Sequence, residues 1–331
     1  MQNTWFLSLF LMYLFGMMAL SWWVSRKQKS GDDFLLAGRQ LPMLLTLGTT
    51  VATMVGTGSS MGAVALGYHS GWAGMLYGIG GALGILLLAL IFAPVRQHQF
   101  ITMSEELSYY VGANKWVKNV VAVLIFIASI GWLGAHILGG AMYLAWITDI
   151  SLTQAKLLLA IGFAIYVIIG GYLAVVWTDT IQAIVLFFGF LLMMVFAVVA
   201  AGGWQSIIDQ QPAANISLFA IDKLGVIPAL SLCLVVLVGV LATPSFRQRI
   251  YSGKSISSIR KSFIYSGILY LGFCIVPAII GMAAFALNPE LDNRNFAFPY
   301  LALDILPPAI GIVVLLAGLS ATISSASSDA I

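Results

Sequence analysis

Charge is what this sequence has least of. Only 8% of its 331 residues are Asp, Glu, Lys or Arg, against 61% that are hydrophobic. A soluble domain could not solvate such a surface. Cysteine is almost missing too: Cys233 and Cys274 both sit in apolar runs, with no Cys-x-x-Cys pair and no Cys/His cluster. That excludes a disulfide framework and a structural zinc site. No His-Glu-x-x-His, Gly-x-x-x-x-Gly-Lys, Gly-x-Ser-x-Gly or kinase motif occurs, so no class of enzyme has motif support.

What is present is apolar length. Nine stretches suit a hydrocarbon core of about 30 Å, which a helix of about 20 residues crosses: 5–24, 42–67, 72–95, 117–146, 153–176, 180–201, 227–243, 263–287 and 309–331. The reading is one all-α polytopic membrane domain over residues 1–331, with the lipid bilayer as its first partner. The run Trp5–Val24 is a retained helix rather than a signal peptide, because its basic residues follow it and no small-residue cleavage site stands out. Ser104-Glu105-Glu106 marks a short interfacial helix in the 96–116 connection.

Lys and Arg set the expected orientation. Lys156, Lys223 and Arg294 fall on one side, and the remaining twelve of the fifteen fall on the other: Arg26, Lys27, Lys29, Arg39, Arg96, Lys115, Lys118, Arg247, Arg249, Lys254, Arg260 and Lys261. The basic side should be cytoplasmic, which puts the N-terminus outside a cell membrane. Topology explains these charges without nucleic acid, and no obligate protein partner is implied. The sequence stops at Ile331 while its last helix is about 23 residues old and has no basic anchor after it; the expectation is a fragment or a truncated product.

Against that apolar background three polar clusters stand out. The first, Ala52-Thr53-Met54-Val55-Gly56-Thr57-Gly58-Ser59-Ser60, lies midway along the second stretch. Glycines and hydroxyls there make a poor continuous helix. An unwound turn would free carbonyls at membrane depth, where they are tolerated only if they line a cavity or bind something. Close helix packing through Gly58-x-x-x-Gly62 is the competing reading. The second is Thr178-Asp179-Thr180, an acid at the junction of two stretches, readable as a helix cap or as a cation ligand. The third is Ser320-Ala321-Thr322-Ile323-Ser324-Ser325-Ala326-Ser327-Ser328-Asp329. By helical spacing Ala321, Ser324, Ser325 and Ser328 share one face, as do Ser320, Ser324 and Ser327. Such oxygens suit a hard cation, or bond back to their own helix. His136, among Gly131, Gly134, Gly139 and Gly140, reads as a bundle-facing polar contact.

At these residues the chain resembles the sodium:solute symporter family. Asp33-Phe34-Leu35-Leu36-Ala37-Gly38-Arg39-Gln40-Leu41-Pro42 is similar to its first loop. Gly170-Gly171 through Thr178-Asp179-Thr180-Ile181-Gln182 is similar to its most specific motif, and Phe246-Arg247-Gln248-Arg249-Ile250-Tyr251 to its Gln-Arg loop. The resemblance implies two inverted five-helix repeats preceded by one extra helix, with the second repeat incomplete in this sequence. It implies sodium-coupled symport of a small organic solute, sodium being the coupling ion. It places one sodium between carbonyls at Ala52, Val55 and Gly318 and hydroxyls at the Ala321 and Thr322 positions. Ala321 has no side-chain oxygen, which weakens that site or demands a shifted register in which Ser320 substitutes. A second sodium would use Asp179, Ser324 and Ser325. The solute would lie by Gly56, Thr57 and Gly58, with His136 opposite. A solute-sensing domain without transport, or an inactive truncated transporter, is the alternative.

Overall fold

The computed structural model describes residues 2–26, 28 and 30–331. Lys27 and Lys29, counted above on the basic side, lie outside the described residues. Among the described residues six helices are long and apolar enough to cross a membrane, or seven if Val226–Ala242 and Pro244–Ser252, bent by 46°, form one span.

The principal helices begin with Gln2–Ser25 (α1). Met43–Met54 (α2) stops at Val55, whose φ of −87° and ψ of 67° leave the helical region. Helical structure resumes through a π-helical turn, Gly58–Gly62, into Ala63–Ser70 (α3). Leu76–Leu87 (α4) follows a turn at Gly71 (φ 55°, ψ −119°). Met103–Tyr109 (α5) is the short helix expected in the 96–116 connection, started by the Thr102 hydroxyl accepting from the Glu105 N–H. Lys115–Thr148 (α6) is capped by Asn114, and Leu152–Ala200 (α7) by Ser151 with Gln154 returning to the cap backbone. Val226–Ala242 (α8), Pro244–Ser252 (α9), Ile256–Phe273 (α10), Ile275–Leu287 (α11) and Pro308–Ala330 (α12) complete the set.

The count of membrane-length helices falls below nine because two junctions are single residues. At about 1.5 Å per residue, a straight α7 of 49 residues would run about 74 Å, over twice the hydrocarbon thickness. It is interrupted at Gly171 (φ 54°, ψ −157°). A Cβ there would sit 2.7 Å from the Phe34 carbonyl oxygen, so glycine serves both the left-handed φ and the close approach. Gly71 similarly bends the 41-residue run Gly58–His98.

Packing places α12 at the centre. It lies most extensively against α7, then α6, with α2 also alongside; α10 packs on α2 and α4, and α11 on α3. Residues 314–328 of α12 are nearly all buried. The α3–α11 crossing is tight enough that a Cβ at Gly281 would lie 2.2 Å from the Val64 carbonyl oxygen and 2.5 Å from the Tyr68 nitrogen. Backbone rather than side chain is the neighbour, so nothing can rotate away. Gly281→Val should therefore destabilise the fold by about 1–3 kcal/mol or more through overpacking. A thermal midpoint in detergent equal to the parent's would contradict this crossing.

Arg39 and Arg96 are tied to backbone near the start of α2 and the end of α9. Arg96 Nε donates to the Gly253 carbonyl at 2.7 Å and Arg39 Nη1 to the Phe100 carbonyl at 3.1 Å. Leu41 and Gly253 form an isolated parallel bridge, with Leu41 N–H to the Ser252 carbonyl (3.2 Å) and Lys254 N–H to the Leu41 carbonyl (3.1 Å). This stitches the start of α2 to the end of α9. Two members of the basic set are not solvated: Arg247 is 3% exposed and Arg249 is fully buried. Arg247 lies over the Phe92 ring and beside Glu106, at 3.6 Å.

Candidate functional site

The break after α2 brings backbone oxygens into the bundle. Where a helix stops, its last carbonyls lose their intrahelical donors, and the partial negative charge of the C-terminus concentrates there. Hydroxyls meet them. Ser324 Oγ donates to the Ala52 carbonyl at 3.1 Å and Ser325 Oγ to the Thr53 carbonyl at 3.1 Å. Ser59 Oγ donates to the Met54 carbonyl at 2.5 Å, and Ser60 Oγ to the Gly56 carbonyl at 2.6 Å. Through Ser324 and Ser325, two helices far apart in sequence thus meet at oxygen atoms. Gly56 permits the approach: a Cβ there would lie 2.6 Å from Ser325 Oγ and 2.9 Å from His136 Cε1.

One turn away, Thr57 Oγ1 lies 3.1 Å from His136 Nδ1 and 3.4 Å from Thr322 Oγ1. His136 Nε2 lies 3.5 Å from Asp329 Oδ2 and its ring stacks on Trp132. Gly139 and Gly140 on α6 give room, since a Cβ on either would lie within 2.7 Å of the methyl of Thr57 or Thr322. Gly58 is exposed and faces the Tyr77 ring. Gly56, Thr57 and His136 are therefore brought together, and Gly58 adjoins them on the Tyr77 side.

The other sequence-derived assignments are redistributed. Ser320 turns away from the break and pairs with Tyr13 of α1, at 2.9 Å between hydroxyls. Gly318 packs under Tyr143 and Phe298, and its carbonyl is met by Thr322 of its own helix at 3.4 Å. Besides that carbonyl, the Thr322 hydroxyl accepts from Thr57 at 3.4 Å. Ser324 and Ser325, expected beside Asp179, are the hydroxyls that meet Ala52 and Thr53. Asp179 Oδ2 instead accepts from Ser328 (3.0 Å) and Thr49 (2.6 Å). On α12, Ser324 and Ser325 thus lie level with the carbonyls of the α2 break, and Ser328, one turn further on, lies level with Asp179. Ala52 keeps its expected place, and Val55 forms the break itself.

Two residues escaped the sequence reading as parts of the site. Arg249 Nη2 lies 2.6 Å from Thr49 Oγ1, 2.8 Å from Ser328 Oγ and 3.3 Å from Asp179 Oδ2, and it also bonds Thr53 Oγ1. Glu106, fully buried, accepts from Tyr110 (3.0 Å) and Tyr251 beside Arg247. Burial and that carboxylate push the Tyr110 phenol up to about 12, so it stays a donor. The Gln-Arg motif was a signal for Arg249; nothing in the spacing paired it with Asp179.

A vestibule of about 450 Å³ opens at the basic end, bounded by Thr102, Ser104, Gln248 and Tyr251, and reaches Ser328 and Asp329 at its inner wall. Among the described residues no cluster of three His, Cys, Asp or Glu is placed to hold a metal. The donor set is hydroxyl, carbonyl and single carboxylates, which suits a hard, weakly held cation rather than a transition metal.

A helical membrane protein with a helix broken at mid-bundle against an oxygen-lined partner has the form of a secondary transporter. The chain belongs to the sodium:solute symporter family, whose model matches residues 34–331. It is 25% identical over 342 residues to a sodium/pantothenate symporter of Haemophilus influenzae, covering 96% of this chain and 68% of that one. It is 28% identical over 337 residues to a sodium/proline symporter of Salmonella typhimurium (96% and 66%). A mouse protein, solute carrier family 5 member 4A, is 26% identical over 368 residues (97% and 56%). The chain thus spans between about half and two thirds of the length of these curated relatives. The fold is that of a sodium-coupled sialic acid symporter solved in a substrate-bound outward-open state, with a TM-score of 0.80 at 22% identity, over 99% of this chain and 71% of that one.

Proposed function

We propose that this chain forms the ion- and solute-binding region of a sodium-coupled symporter for a small organic solute, working by alternating access. The observation that carries the reading is the meeting of the α2 break with α12, where the Ala52 and Thr53 carbonyls face the Ser324 and Ser325 hydroxyls at 3.1 Å. A sodium ion placed among these oxygens would replace hydroxyl-to-carbonyl bonds with ion contacts and tie the two helices together. Directionality follows if ion and solute bind the two conformers with different affinity. The solute lies beside Gly56, Thr57 and Gly58, with His136 opposite and Thr322 and Asp329 adjoining. The vestibule of about 450 Å³ is of the size small ligands use and leads from the basic end towards this pocket.

In this reading the chain crosses a cell membrane nine times as one domain, α7 supplying two crossings and the α2 to α4 region two more. The basic end, with Arg39 and Arg96, faces the cytoplasm, and the N-terminus faces outside. Solute uptake into proteoliposomes, with and without an inward sodium gradient, is the test. The gradient should drive accumulation, and uptake indifferent to sodium rejects the coupling. Removing both hydroxyls, Ser324→Ala with Ser325→Ala, should raise the half-maximal sodium concentration at least tenfold, since each contact to a charged group contributes about 1.5–3 kcal/mol. A competition screen with amino acids, nucleobases, sugars and carboxylates identifies the solute class.

A further inference from the structure

Arg249 is bound in an unusual way for a structural ion pair. Arginine usually meets a carboxylate with two parallel N–H bonds. Here one nitrogen, Nη2, faces Asp179 Oδ2 at 3.3 Å while the same atom serves Thr49, Thr53 and Ser328. Nη2 carries two hydrogens and has four oxygens around it. Those oxygens converge from three helices: Thr49 and Thr53 from α2, Asp179 from α7 and Ser328 from α12. Asp179 Oδ1 and Arg249 Nε are buried and have no hydrogen-bond partner among the described residues. Orphaned atoms of this kind are uncommon and call for a reason. Three hydroxyls and a carboxylate oxygen around one point fit a spherical cation better than a planar fork with two protons to give.

We propose that Arg249 Nη2 occupies a cation seat made by Thr49, Thr53, Asp179 and Ser328, and that Arg249 is a tethered competitor of an alkali ion for that seat. While the guanidinium is in place, a sodium ion there would sit beside a like charge in a poorly screened interior. The ion enters only as Arg249 withdraws. Pro244, Ser245, Gln248 and Tyr251 of α9 line the vestibule on both sides of Arg249 in sequence, and Ser328 of the seat lines it too, so the vestibule is the space into which Arg249 would withdraw. This assignment rests on the sodium-coupled reading above, but it concerns Asp179, not the Ala52–Ser325 contacts.

The test is a sodium titration of the purified full chain in detergent, following thermal midpoint or tryptophan fluorescence, with choline chloride holding ionic strength. Arg249→Gln should lower the half-saturating sodium concentration at least tenfold, and Asp179→Asn added to that variant should abolish the gain. Arg249→Lys keeps the charge without the fork and should shift the value by a smaller factor in the same direction; it serves if Arg249→Gln fails to fold. A wild-type response to sodium that neither Arg249 variant changes, or that either weakens, overturns the competition and leaves the sodium-coupled reading standing. No response to sodium in any variant overturns both.

Discussion

Asp179→Asn should lower the stability of the protein by about 3–5 kcal/mol, the loss typical when one partner of a buried pair is removed. Arg249 is fully buried, and Asp179 is its carboxylate partner. The amide would leave a guanidinium in the bundle interior with hydroxyl dipoles and no directly paired carboxylate, Asp329 being the other acid that feels its charge. Most of the penalty comes from that orphaned charge, so Asp179→Asn combined with Arg249→Gln should recover much of it. Thermal unfolding in detergent reads both variants, and a single substitution as stable as the parent would mean that Arg249 is neutralised elsewhere. The same single substitution should also remove any part of the sodium response that depends on Asp179.

Glu106→Ala is expected to cost about as much for the same reason at a different place. Glu106 holds Arg247 at 3.6 Å and accepts hydrogen bonds from the Tyr110 and Tyr251 hydroxyls. Its loss strands one buried cation and two phenols, which removes what pins α5 to α9. Arg247 would keep only the Phe92 ring, 3.4 Å from its guanidinium carbon, and such a contact contributes about 2 kcal/mol when desolvated. Because α5 and α9 both border the vestibule, hydrogen exchange should rise there first. Unaltered exchange at 103–109 and 244–252 would show that Glu106 does not anchor this end.

Much of this arrangement was legible in the residues, and the docking register between distant helices was not. Gly56, Thr57 and Gly58 announced the break because local propensity decides it. The polar face of α12 was legible because residues three and four apart must lie together. Which turn of that face meets α2 is a different matter. Ala321, Ser324, Ser325 and Ser328 share the face, and a step of three residues slides the contact by about 4.5 Å along the axis. That offset is fixed by where two helices far apart in sequence happen to dock, as the Gly56–Ser325 approach shows. Arg249 was hidden for a related reason. Loop cations are normally spent on orientation, and counting Arg249 with them concealed that α9 carries it inward to Asp179. The count of separate helices differs from the nine stretches for another reason, since single glycines at 71 and 171 turn the chain without lengthening a loop.

The short bridge between Leu41 and Gly253 gives the Arg249 cluster a mechanical character. Through it Thr49, Thr53 and Arg249 ride on one joined piece, α2 with α9, while Asp179 and Ser328 ride on α7 and α12. The cluster is thus a clasp with its two halves sewn to different panels. Sliding one panel past the other would undo it with no side chain changing rotamer, so occupancy at this point would report the relative position of the panels, as a door contact reports a door.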